Sequence, residues 1–233
     1  MGSGDLIVSS TNIYQDYPIH RKSVMTIGNS GYGFTLSESG TATAVTVPSQ
    51  GLIYRQYRTA QTAGSSAGIV EGNYNWLPTY SVIPCGFYFQ FRVRINEADS
   101  LTRFIFGLGR ANNTPGNTEP STNIGVHLWF GADSTDTNLF LYSKPITGTG
   151  VVRYNTGFPK VNSHVYLGTF NRITGGISTV CTLKNLTTGV TFSQTLNYSN
   201  DSNSGAPFFF VNNATSPIFA SIQVQRIELL TSD

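Results

Sequence analysis

The chain has 233 residues, a net charge of +2, and only 11% charged residues against 39% hydrophobic ones. That length allows one large β-sandwich or two small domains with a real core, over which the solvated surface must be built mainly from Ser, Thr, Asn, Gln and Gly. With no basic run or cluster, nucleic acid is not an expected partner; no apolar run approaches the ~18 residues of a membrane helix, so no membrane insertion is expected either.

The N-terminal stretch "MGSGDLIVSS" lacks the basic start, apolar run and small-residue cleavage site of a secretory signal. Residues 1–50 are short, polar and Gly-rich, with strand-like fragments such as "DLIVSS" and "TAVTVP". They read as an arm or small attachment subdomain, and the sandwich is placed at 51–233. "YRTAQTAGSSAGIVEGN" (57–73) reads as an irregular connection rich in small residues.

From there alternation dominates, and no window sustains the i, i+3, i+4, i+7 pattern of a helix. "FYFQFRVRI" (87–95) puts Phe87, Phe89, Phe91, Val93 and Ile95 on one face, the pattern of a half-buried strand. "TRFIFGLG" (102–109) follows the turn-like "NEADS", which predicts a hairpin or neighbouring strands. Further strands are predicted at 123–132, 138–144, 164–173, 177–185, 189–197, 207–213 and 219–230, spaced as in sandwiches and barrels. "NLTTGVTF" (185–192) reads as a hairpin on a short turn.

Gly107 and Gly109 do not open a phosphate loop. The third fingerprint position is Asn112, no Gly-Lys-Ser/Thr exists, and the following residues hold two prolines where a helix would have to start. They read as bends or close approaches in a strand. His20, His127 and His164 come with no nucleophile elbow, and the close acid pairs Glu97/Asp99 and Asp133/Asp136 fall in turns. The reading is therefore of a protein without enzymatic activity and without a cofactor. Cys85 and Cys181, 96 positions apart, are expected as two buried thiols, with a disulfide as the alternative. Asp133, Asp136 and Asn138 in "DSTDTN" offer three oxygens, either to Ca²⁺ or to an Asx-rich turn. Trp129 and Tyr142, on consecutive strands around that turn, either pack in the core or stack on sugar rings. The five Asn-x-Ser/Thr sequons, at Asn112, Asn185, Asn197, Asn200 and Asn213, carry little weight in a chain so rich in these residues.

The segment 102–144 resembles a module found at the C-terminal ends of tail-fibre and neck-appendage proteins of tailed bacteriophages. The pieces that carry the likeness are Arg103 to Leu108, Thr118-Glu119-Pro120-Ser121, Asn123-Ile124-Gly125-Val126, Gly131-Ala132-Asp133 and Thr137-Asn138-Leu139, with "YRTAQTAGSSAG" upstream and "RIELLTSD" downstream. The resemblance implies an all-β, lectin-like (concanavalin-like) jelly-roll β-sandwich, a homotrimer, and recognition of a host-surface glycan from a position on the virion. The N-terminal arm would then grip other virion proteins. Candidate glycan contacts lie in the 110–123 and 131–138 loops: Arg110, Glu119, Asp133, Asp136 and Asn138, with Trp129 and Tyr142 nearby. The alternatives are a decoration protein that binds only its own particle and a secreted carbohydrate-binding module.

Overall fold

The structure is a computed structural model that describes residues 21–26, 36–40, 45–49, 52–71, 86–110, 117–122, 126–144, 150–173, 176, 178–197 and 205–231. These residues form two antiparallel sheets. The first runs in the order β13 (Thr191–Asn197), β12 (Ser178–Asn185), β11 (Val165–Arg172), β6 (Phe87–Glu97), β15 (Ser221–Thr231), β4 (Leu52–Arg58) and β3 (Val45–Ser49). β1 (Arg21–Thr26) joins it on the C-terminal half of β15, while β4 takes the N-terminal half. The second runs β10 (Val152–Pro159), β9 (Asn138–Ser143), β8 (Val126–Ala132), β7 (Arg103–Arg110), β14 (Gly205–Asn212), β5 (Ser66–Glu71) and β2 (Leu36–Gly40). Among the described residues no α-helix occurs, and no helix is long and apolar enough to cross a membrane.

Period-2 patterning explains the sandwich. Phe87, Phe89, Phe91, Val93 and Ile95 of β6 are all buried, as are Phe104, Phe106 and Leu108 of β7. The two rows face each other across one core, where Phe91 meets Phe209 edge-on at 5.3 Å between centroids and Phe130 stacks on Phe170 at 5.4 Å. β6 and β7 therefore do not form the expected hairpin or lie side by side. β6 pairs with β11 and β15, β7 with β8 and β14, and residues 98–102 arch from one sheet to the other. Both strands have an apolar row to bury, and opposite sheets bury both rows in one interior.

The outer face of the second sheet carries a smaller apolar cluster of Ile105, Trp129, Tyr142, Phe208 and Phe210, with Phe140 and Val151 against it. Trp129 stacks on Phe208 at 5.8 Å. The glycine at 107 makes this possible, since an added Cβ would lie 2.6 Å from the Leu128 carbonyl oxygen and 2.7 Å from Trp129 Cα. "FIFGLGR" is thus a sheet strand pared down for close approach.

The division at residue 50 falls between β3 and β4, which pair with each other, while β1 and β2 pair with β15 and β5. Residues 21–49 thus contribute three strands to the same two sheets. Residues 1–20 and Cys85 lie outside the described residues; Cys181 is a buried free thiol.

Candidate functional site

Strand registers put loops 59–65, 98–102, 133–137, 160–164 and 213–220 at one end of the sandwich. Residues 117–122 reach this end too, although β7 leaves from the opposite one: Arg103, at the start of β7, donates to Asn117 Oδ1 and, at 2.6 Å, to Glu119.

Loops 98–102 and 133–137 are tied by their own polar side chains. In 98–102, Asp99 Oδ1 accepts from the Leu101 amide and the Thr102 hydroxyl, and Thr102 Oγ1 accepts from the Asp99 amide. Burial pushes the Asp99 carboxyl up, but hydrogen bonds from Ser216, Thr102 and the two amides outweigh it and leave the group below its ordinary value. In 133–137, Asp136 Oδ2 accepts from the Asp133 amide at 2.8 Å, and Asp133 Oδ1 accepts from the Ser121 amide at 2.9 Å. Tyr142 donates its hydroxyl toward both carboxylates, at 3.3 and 3.2 Å. Arg153 of β10 ion-pairs with Asp133 at 3.3 Å and with Asp136, its guanidinium 4.1 Å from the Phe140 ring centroid. Burial first, and then the two carboxylates, push the Tyr142 phenol far above its ordinary range.

Glu119 clamps the next loop. Its carboxylate accepts from Arg103 and from the Ser134 amide and hydroxyl. Burial raises its pKa, but these hydrogen bonds and the Arg103 charge reverse the sign.

Lys160 joins the loops. It is 9% exposed, and its ammonium donates to the carbonyls of Ser100 at 2.7 Å, Thr102 at 2.9 Å, Asp133 at 3.2 Å and Ser134 at 3.4 Å. Burial lowers its pKa, and the surrounding Asp136, Asp99, Glu119 and Asp133 only partly offset this. Lys160 is among the residues lining an open cleft of about 760 Å³. It is lined by residues 98–101, 134–137 and 160–162, among them the hydroxyl-bearing Ser100, Thr135 and Thr137, the amide-bearing Asn162, and exposed Leu101 and Val161. Such a cleft can hydrogen-bond a ligand rich in hydroxyls and pack against its apolar ring faces.

The sequence candidates separate on this map. Asp136 lines the cleft. Asp133 and Glu119 sit behind it as ties between loops. Asn138 donates to Asn155 Oδ1 at 3.2 Å and so pins β9 to β10. Trp129 and Tyr142 are fully buried and present no ring face to solvent. Arg110 closes β7, at the opposite end from the cleft. Asp133 and Asp136 are ion-paired with the Arg153 guanidinium. Among the described residues no group of three His, Cys, Asp or Glu side chains could hold a metal ion. Sequence reasoning missed Lys160, Arg153, Leu101, Val161 and Asn162. The available signal was Lys160 itself, one of only four lysines, next to a proline at a strand end.

No protein-family model matches the sequence, and no curated protein does either. Solved structures do share its architecture. Arcelin-5, a lectin-like defense protein from Phaseolus vulgaris, superposes with a TM-score of 0.62 at 12% identity, over 91% of this chain and 98% of that one. A protein of unknown function from Shewanella oneidensis MR-1 gives 0.57 at 14% identity over 99% and 96%. The CBM2 module of the evolved Dit of Lactobacillus casei BL23 phage J-1 gives 0.51 at 15% identity over 91% and 96%. At these identities the likeness defines the fold: the chain is an all-β, lectin-like jelly-roll sandwich.

Proposed function

We propose that this chain is a non-enzymatic, carbohydrate-binding sandwich displayed on a bacteriophage particle, and that it holds host-surface glycan in the loop-end cleft. The observation that carries the reading is the cleft itself: hydroxyl and amide groups set around two exposed aliphatic side chains, on loops fixed by the Lys160 ammonium. Fixed loops lose little entropy on binding, which favours a ligand whose individual hydrogen bonds are weak. The lectin-like fold and the phage module that shares it support the glycan and the particle respectively. So does the resemblance of residues 102–144 to phage appendage modules. Attachment to other virion proteins through the N-terminal segment, and an oligomer that multiplies weak sites by avidity, complete the proposal.

The test is an array of bacterial surface glycans probed with the purified protein and with Thr135→Trp, whose bulk fills the cleft from an exposed position. The proposal expects a restricted set of glycans bound by the native chain and lost in the variant. Equal binding by both moves the site elsewhere, and a blank array removes glycan as the ligand class.

A further inference from the structure

Free strand edges are pairing templates, and proteins blunt them with charge, proline or bulges. Among the described strands most free edges are blunted in this way. β1 carries Arg21 and Lys22, β2 carries Glu38, and β3 carries Pro48. β10 has Arg153, Pro159 and a register break between Asn155 and Pro159, with Gly157 at φ +74°.

β13 is the exception. Its sequence, Thr191-Phe-Ser-Gln-Thr-Leu-Asn197, contains no charge and no proline. It pairs in unbroken register with β12, from Lys184↔Thr191 to Ser178↔Asn197, and ends the sheet order on that side. Thr191, Ser193, Thr195 and Asn197 are exposed, and Phe192 is only half-buried against Phe130.

We infer that β13 is a self-association edge, on which a second copy of this chain adds its own β13 antiparallel across a two-fold axis at Gln194. The sequence is self-complementary in that register. Phe192 falls opposite Leu196 of the copy, Ser193 opposite Thr195, Thr191 opposite Asn197, and Gln194 opposite itself. Apolar core-side residues meet each other, hydroxyl and amide groups meet on the outer face, and no like charges oppose. An isologous strand pair of this kind closes as a dimer, leaving the edge satisfied and no template for further growth. Two clefts on one rigid unit would then engage a repeating polymer together, but the pairing stands independently of what the cleft binds.

The solution mass of the full chain, read by light scattering across a dilution series, tests this directly. Native protein is expected at twice the 25.3 kDa of one chain. Ser193→Lys with Thr195→Lys puts lysine opposite lysine across the axis on an exposed face, and should move dissociation to concentrations about tenfold higher or more. Ser193→Lys with Thr195→Glu puts lysine opposite glutamate and should restore the dimer. All three proteins should share one far-UV circular dichroism spectrum. A native monomer, a native trimer, or a dimer indifferent to the paired lysines would overturn the inference.

Discussion

Trp129 and Tyr142 carry the residue types of a sugar-stacking platform, and the structure uses them to seal the outer face of the second sheet. The same residue type serves either role; what decides is whether a neighbour covers the ring, which one strand's sequence does not encode. Trp129→Ala removes a fully buried indole, so it should destabilise by about 3–5 kcal/mol through lost contacts and a cavity, seen as a melting temperature about 10 °C lower. Trp129→Phe, by contrast, should fold and keep whatever ligand binding the native chain has. Glu119 belongs at this scale too. Its carboxyl is held below its ordinary value of 4.5, so its stabilisation is fully present above that value and is lost as the pH falls through the lowered one. Glu119→Gln should therefore flatten part of the acid limb of stability against pH, measured by urea unfolding between pH 6 and about 3. An unchanged limb would mean that Arg103 and Ser134 hold the neutral group as well as the charged one.

At the scale of elements, alternation was legible wherever one face is buried by large side chains. The strands at 87–97, 103–110, 138–143, 165–172, 178–185, 191–197 and 221–231 follow their sequence patterns closely. β5 was read as a connection because Ser66, Ala67 and Gly68 are small, yet smallness is what the site requires: an added Cβ at Gly68 would fall 2.2 Å from the Phe209 carbonyl oxygen. β10 escaped notice because an edge strand buries little, and here only Thr156 and Phe158 are buried. The partner sheet of each strand was not legible, since alternation says which residues face inward but not from which side. Of the candidate site, the 131–138 loop was found in the sequence, and the 160–162 wall and its buried lysine were not. Lys160 couples elements that are far apart in the chain, so Lys160→Met should leave four buried or part-buried carbonyls without their donor and cost about 2 kcal/mol or more. Amide hydrogen exchange should accelerate in 98–102 and 133–137 and remain native in the far strands. Uniform acceleration would instead show global loosening.

At the scale of the whole molecule, three sets of ion pairs among the described residues stand at one end of the sandwich. Arg58 binds Glu97 through two hydrogen bonds of 2.8 Å, Arg103 binds Glu119, and Arg153 binds Asp133 and Asp136. In a chain with so few charges, this concentration fixes the geometry of loops that no secondary structure holds. The cleft they enclose is the proposed glycan site, and the β13 edge bears only on how many clefts act together. Titration calorimetry with a glycan selected on the array, run on native protein and on Asn162→Ala beside Trp129→Phe, tests the cleft most directly. Binding should be saturable in the native chain, about tenfold weaker or more in Asn162→Ala from loss of one or two hydrogen bonds, and of native affinity in Trp129→Phe. Native affinity in Asn162→Ala together with loss in Trp129→Phe would contradict it and return the site to the aromatic face.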